Sequence, residues 1–435
     1  MANPRVPFIY GRPVKSIEFL NRGPELRTAF NRLRNGESTA IVGEPHIGKS
    51  SLLLKLAESE TQRIYLGGEA QRITVSILDL QSVANDYTPA AFWLEALDPL
   101  RRSNQAELGL QLQQAADLGY ARRSLERLFN YLGQTGGRLV LLLDEFERLL
   151  AHPQFQDSAF FGLLRSLSTR TGGLAWVTTS RLSVTQMNEL GHGLLATGSP
   201  FFNNVIEVRL HPFDDRVVGM LLDRAGDILS SDERRFVRRV AGRHPFLLQA
   251  MVATMLEMTG DDRQARAAES FYERISFHFD DLWRTLDDRT RTAAVILGLV
   301  ELGGRALGHD FAFGEIERVD SFGPELRNLA ERGLAERVGE EWQFDQQHLL
   351  LWRGERWTVG CQAFAWWVRD VVIAESRLVP SYTEWLANKR YRFLLTQQQW
   401  NNLITLTRRL PPWAVRGVTE LAKALFQELL TGKRV

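Results

Sequence analysis

The sequence predicts an α/β protein. Its first half is a parallel sheet packed between helices, an αβα sandwich, and it is followed by a helical segment, a helix-and-hairpin unit and an all-α C-terminal region. Three observations predict this order. Short apolar, β-branched runs alternate with helically spaced segments over residues 38–210, and such alternation builds a parallel sheet with helices on both faces. One run, Leu139–Leu143, is apolar at every position, as a strand buried on both faces requires. Beyond His211 and Pro212 the strand patterns stop, and amphipathic helical spacing continues to about Asp280.

The elements follow in order. Ser38–Val42 is a strand that ends at a glycine-rich turn, and Ser51–Ala57 then carries helical spacing. Further strands are expected at Ile73–Leu78, Leu139–Leu143, Leu174–Val177 and Val205–Leu210, with helices around Ala90–Leu97, Arg122–Leu132 and Phe160–Leu167. From about Trp283 short helices precede Gly333–Phe344, where Leu334, Glu336 and Val338 face Trp342 and Phe344 across Gly339. That spacing predicts a helix followed by a hairpin turning at Gly339, the pattern of a winged helix. Past Gly354 the chain reads as helical and rich in tryptophan, including Trp357, Trp366, Trp367, Trp385, Trp400 and Trp413, and Pro411-Pro412 breaks it near the end.

Composition narrows the function classes. The chain has 435 residues, more than the roughly 250 to 300 that one core serves, so several packed units are expected. A formal net charge of +1 removes any whole-molecule attraction to nucleic acid or acidic lipid. Cys361 is the single cysteine, which excludes an intrachain disulfide or a multi-cysteine metal cage and fits a reducing, cytoplasmic location. Its neighbours Gln362, Ala363, Phe364 and Trp366 predict a buried, inert thiol. Met1–Tyr10 has no apolar export segment, and no apolar run approaches the roughly 20 residues that span a bilayer, so no membrane association is expected. Histidines show no metal-ligand spacing, and no Gly-x-Ser-x-Gly elbow is present.

The chemistry is concentrated at two strand ends. Gly43-Glu44-Pro45-His46-Ile47-Gly48-Lys49-Ser50, with Ser51 following, fits G-x-x-x-x-G-K-[ST] between a strand and a helix, the P-loop of nucleoside triphosphatases. Its glycines let backbone amides wrap phosphate oxygens, Lys49 adds a full charge at the β/γ-phosphates, and the Ser50 hydroxyl is placed to ligate Mg²⁺. The predicted ligand is therefore a purine nucleoside triphosphate with Mg²⁺, held by a P-loop NTPase fold. Leu139–Leu143 runs into Asp144-Glu145, an acidic pair at the sheet edge where ligands of open α/β sheets bind. Asp144 is expected to hold Mg²⁺ through water, and Glu145 to polarise the water that attacks the γ-phosphate. The fourth strand ends Thr178-Thr179-Ser180-Arg181, which brings hydroxyls from Thr179 or Ser180, and the cation of Arg181, to the same edge. The catalytic set is Lys49, Glu145 and Arg181, and the metal set is Ser50 and Asp144.

In series, these motifs resemble the STAND class of AAA+-related ATPases, the bacterial-type signal-transduction switches, over about Phe19 to Trp352. Phe19-Leu20-Asn21-Arg22-Gly23-Pro24-Glu25-Leu26 is similar to the family's F-x-G-R-x-x-E-L segment, with Asn21 in place of the usual glycine, and implies that Arg22 lies against the nucleotide. Gly242-Arg243-His244-Pro245 is similar to the family's lid motif and implies that Pro245 lies near adenine or the ADP phosphates. The resemblance implies a nucleotide-packed segment at 1–37, an ATPase domain at 38–210, a helical lid at 211–280, a winged helix at 281–354 and ATP or ADP as the nucleotide, while 355–435, outside the resemblance, reads as a C-terminal helical domain. His348 is a candidate ADP contact. The implied function is a switch in signalling or defence, closed with ADP and open with ATP. A protein partner would be met through the C-terminal helices, and homo-oligomers could form in the ATP state. Two other readings stand beside it. One is a DNA-associated ATPase reading duplex DNA through the winged helix, and the other is a scaffold whose nucleotide is structural.

Overall fold

Each of the five apolar runs forms a strand of one sheet. They are β1 (Thr39–Val42), β2 (Ile73–Asp79), β3 (Arg138–Asp144), β4 (Leu174–Ser180) and β5 (Ile206–Arg209). The order is β2-β3-β4-β1-β5, and every pairing is parallel. The structure is a computed structural model and describes residues 8–15, 18–156, 158–192, 201–301, 305–306, 309–310, 322–344 and 350–374. Among these the chain divides into two compact units. The first comprises residues up to Arg234 together with Arg243–Glu257, and the second comprises Arg235–Gly242 and residues from Met258 onward.

In the first unit the strands are interleaved with α1 (Gly23–Arg34), α2 (Lys49–Ala57), α3 (Ser59–Leu66), α4 (Pro89–Ala96), α5 (Asp98–Arg101), α6 (Ala106–Asp117) and α7 (Arg122–Gln134). Then come α8 (Glu147–Ala151), α9 (Ser158–Arg170), α10 (Val184–His192) and α11 (Asp215–Asp223). The period-two alternation of β3 explains why its sequence is apolar throughout. Leu139, Leu141 and Leu143 enter a core with Phe129, Phe146 and Trp176, while Val140 and Leu142 enter the opposite core with Phe30, Ile41, Leu52 and Val177. At the N-terminal end of β4 two glycines let backbones touch. A Cβ on Gly133 of α7 would lie 2.2 Å from Thr171 O, and one on Gly173 would lie 2.1 Å from Phe129 O. Asp214 caps α11 by accepting from Val217 N at 2.8 Å. After α12 (Ser231–Ala241), α13 (Pro245–Glu257) is apolar on nearly every face and buried accordingly.

The second unit contains α14 (Arg263–Thr285), α15 (Asp288–Glu301), the two-residue strands β6 (Arg305–Ala306) and β7 (His309–Asp310), and α16 (Gly323–Glu331). These are followed by β8 (Ala335–Phe344), β9 (Leu350–Val359) and α17 (Gln362–Trp367). α14 continues through residue 280 without a break. Two sequence expectations are corrected here. Gly339 does not turn a hairpin, because β8 runs through it to Phe344 and pairs antiparallel with β9, with the register slipping between Arg337 and Gly339. Gly339 has φ +150°, a conformation only glycine takes readily, and this gives a bulge within the strand. Residues 355–359, expected to be helical, are the end of β9. His348, Trp385, Trp400 and Trp413 lie outside the described residues. Phe279, Trp283, Phe364 and Trp367 pack ring against ring beside buried Cys361, whose thiol donates to Val240 O at 3.2 Å and is pushed up to about 12 by burial. Among the described residues no helix is long and apolar enough to cross a membrane.

Candidate nucleotide site

Strand order makes the site. β4 lies between β1 and β3, and all three end on one edge, with Val42 level with Ser180 and Leu143 level with Thr178. The two motif loops are pinned to the tip of β4 from either side. Gly43 N donates to Ser180 O at 3.2 Å, and Phe146 N donates to Thr179 O at 2.9 Å.

The loop from Gly43 to Ser50 has the local chemistry of an anion cradle. A Cβ on Gly43 would meet Ile47 Cγ2 at 2.9 Å and Leu210 O at 3.1 Å, and Gly48 has φ +104°. Gly48 caps α2 without a side-chain hydrogen bond, so Lys49, Ser50 and Ser51 stand in a helical first turn that no side chain caps. Ile47 is buried in the core and anchors the loop. Lys49 is buried, and its Nζ donates to Gly43 O and Glu44 O, each at 2.9 Å. Burial pulls its pKa below the ordinary value, and the attraction of Glu147, Glu44, Asp144 and Glu145 opposes that shift. Ser50 is half-buried. The Ser51 hydroxyl accepts from Val14 N at 3.1 Å, so it ties the N-terminal segment to the loop. Glu44 and Pro45 are half-buried. His46 is exposed with φ +61°, and its ring stacks on Phe246 at 4.8 Å.

On the acidic side Thr179 is the hydroxyl that matters. It donates to Asp144 Oδ1 and accepts from Glu145 N at 3.0 Å, whereas Ser180 Oγ accepts from Leu182 N at 2.9 Å. Glu145 itself has φ +53°, an uncommon conformation for a non-glycine residue, and its carboxylate pairs with Arg148 at 3.4 Å. Arg181 lies at the tip of β4, half-exposed, and pairs with Glu147 at 3.4 Å. Glu147 was not singled out from the sequence. The only signal for it is a third carboxylate in Asp144-Glu145-Phe146-Glu147.

The flanking residues converge on the same loop. Arg22 is buried, donates to Ile47 O at 3.3 Å, pairs with Glu25 at 3.2 Å, and lies over the Phe213 ring at 5.0 Å. Burial draws its pKa down, with Glu25 opposing. Asn21 has φ +51°, so the place where the family pattern has glycine takes the left-handed conformation that asparagine tolerates best among other residues. Pro245 is buried at the start of α13, next to Phe246. Phe246 meets His46 and, edge-on at 6.0 Å, Tyr10, and Ile9 N donates to Gln249 Oε1 at 3.2 Å. The P-loop, the N-terminal segment and the first turn of α13 thus share one aromatic contact.

The residues present fit a phosphate chain and a hard divalent cation. The cradle is one that side chains would fill, the lysine is held at its mouth, and the oxygens of Ser50 and Asp144 suit Mg²⁺. Among the described residues no group of three or more His, Cys, Asp or Glu could hold a metal by itself, so such a cation would complete its shell with phosphate and water.

The chain belongs to the family of AAA-like domains, whose model matches residues 12–296, well over half of its length. It is an AAA-like P-loop ATPase domain by family and fold. Among solved structures it is similar to a Walker-type ATPase of Pyrococcus abyssi, with 17% identity over 82% of this chain and 99% of that one, at a TM-score of 0.49. It is also similar to the ORC2 protein of Aeropyrum pernix, solved in ADPNP–ADP complexes, with 13% identity over 86% and 98% and a TM-score of 0.44. A third is a Signal Transduction ATPase with Numerous Domains from Pyrococcus horikoshii that carries a tetratricopeptide repeat sensor, with 15% identity over 97% and 52% and a TM-score of 0.33. No curated protein matches the sequence.

Proposed function

We propose that the chain is a nucleotide-dependent molecular switch of the STAND type that binds ATP and ADP with Mg²⁺, hydrolyses ATP slowly, and differs in conformation between the two. The observation that carries this reading is the position of β4. Its tip, with Thr179 and Arg181, is hydrogen-bonded on one side to the P-loop and on the other to the acidic turn. Lys49 and the amides of Gly48 to Ser51 would bind the β/γ-phosphates, Ser50 and Asp144 would hold Mg²⁺, and Glu145 would orient the attacking water. The bound cation would supply charge stabilisation on the transferring phosphate. Arg181 reads the γ-phosphate, which exists only in the ATP state. Arg22 and Pro245 border the nucleotide from the N-terminal segment and α13. Moving a switch from 1:99 to 99:1 needs about 5.5 kcal/mol of differential binding, within reach of several charge-assisted phosphate contacts. Output would pass to a protein partner through the C-terminal helices or to further copies of the chain.

Limited proteolysis and native mass measurements on the full chain with Mg-ADP, and with a non-hydrolysable ATP analogue, test the switch. Distinct fragments or assemblies are expected, and identical patterns would sink it. A second reading, duplex-DNA binding, draws on α16 followed by the β8–β9 pair. Charge disfavours it. Acidic residues outnumber basic ones along α16 and β8, Arg289 is paired with Glu325, and Arg337 with Glu355. Duplex affinity at low salt that falls steeply with added salt would reverse this preference.

A further inference from the structure

The acidic run extends past Asp144-Glu145 to Glu147, the first residue of α8, and this side chain has no part in the phosphate and cation chemistry assigned above. It is only 8% exposed. Its Oε1 accepts from the backbone N of Arg181 at 3.1 Å and from Arg181 Nε at 3.4 Å, while Oε2 is buried and makes no hydrogen bond. Among the described residues the Arg181 side chain has no other partner, and half of it reaches solvent. A buried carboxylate with one oxygen unsatisfied is costly unless cations compensate it. The compensation here is Arg181 together with Lys49, on which Glu147 exerts the largest attraction of the four surrounding carboxylates. One carboxylate therefore bears on both cations that face the phosphates.

Resting on the nucleotide reading, we propose that Glu147 is a positioning residue that competes with the γ-phosphate for Arg181 and so sets how strongly the site prefers ATP over ADP. The guanidinium has two anionic partners within its reach, Glu147 and a terminal phosphate. ADP lacks the terminal phosphate, and with ADP the ion pair stays closed. With ATP the pair must open, and the cost of opening it is subtracted from ATP affinity alone. The field of Glu147 at Lys49, assigned to the β- and γ-phosphates, bears on both nucleotides unequally. What isolates the pair is the change in their affinity ratio that disappears once Arg181 is removed.

The test is calorimetric titration of the full chain with Mg-ADP and with a non-hydrolysable ATP analogue. The proteins are wild type, Glu147→Gln, Arg181→Ala and the double variant. Glutamine keeps an acceptor for Arg181 N but removes the charge, and is expected to raise the ADP-to-ATP ratio of Kd values by roughly tenfold, equivalent to about 1.4 kcal/mol. Arg181→Ala should lower that ratio, and in its background Glu147→Gln should no longer change it. An unchanged ratio in Glu147→Gln, or a rise that persists without Arg181, overturns the proposal, because a purely structural Glu147 would shift both nucleotides together. If Glu147→Gln does not fold, Glu147→Asp, whose shorter side chain draws the carboxylate back from Arg181, takes its place in the same comparison, with the same expected rise and the same contrary results. Wild-type protein that binds neither nucleotide removes the nucleotide reading and this inference with it. Binding with a ratio insensitive to both residues removes the inference only.

Discussion

At the N-terminal end of β4, Gly133 and Gly173 are glycines because a Cβ would overlap backbone at 2.1–2.2 Å. At the opposite end of the same sheet, Gly48 is a glycine although a Cβ there would meet nothing within 4 Å, because its backbone has φ +104°. The first pair serves close packing of a helix against a strand's approach. The second serves a loop conformation whose amides stay uncovered at a helix N-terminus. One end of the sheet is set by close packing, and the other holds the candidate site. The candidate-site end also gathers the less comfortable features, namely Glu145 at φ +53°, His46 at φ +61°, the buried Lys49 cation and the unsatisfied oxygen of Glu147.

Three substitutions would break or sharpen that contrast. Gly173→Ala has the largest expected effect. It forces two backbones apart, costs about 3 kcal/mol or more, and lowers the thermal midpoint sharply, with ligand binding lost only as the fold is lost. A variant that melts like the wild type would show that the approach of α7 is not tight. Gly48→Ala is expected to cost only about 1–2 kcal/mol from left-handed strain. Nucleotide affinity measured by titration should fall further than stability does, and an equal loss of both would erase the distinction between the two ends. Thr179→Val is the mildest. It removes the hydroxyl shared by Asp144 and Glu145 N, both half-buried, costs about 1 kcal/mol, and should slow Mg²⁺-dependent turnover more than it weakens binding. Unaltered turnover would mean that the hydroxyl does not position the acidic pair.

Much of the first unit was legible because its information is local. All five strands were readable as short apolar runs, and the P-loop's strand, turn and helix follow one another directly over Thr39–Ala57. The order of the strands was not readable, because nothing in Leu174–Ser180 says that it inserts between β1 and β3. That insertion decides that Thr179 rather than Ser180 reaches Asp144. Glu147 was missed for a related reason. A third carboxylate three residues past a strand reads as a solvated helix start, and its burial depends on Arg181, 34 residues downstream. In the second unit Gly339 signalled a turn by the local rule. The strand continued instead because its partner, β9, begins only at Leu350, and pairing over two ten-residue strands absorbs the register shifts at Arg337/Gly339 and Glu341/Trp342.

The central claim is that the edge formed by β1, β3 and β4 binds a nucleotide through Lys49. The most direct measurement is calorimetric titration of purified wild-type chain and Lys49→Ala with Mg-ADP and a Mg-bound, non-hydrolysable ATP analogue, each protein first freed of bound nucleotide and checked by its thermal melt. The account predicts one site per chain for the wild type, and at least a hundredfold weaker binding for a Lys49→Ala protein that is still folded, roughly 2.7 kcal/mol or more. Equal binding by the two folded proteins, or binding by neither, would contradict it.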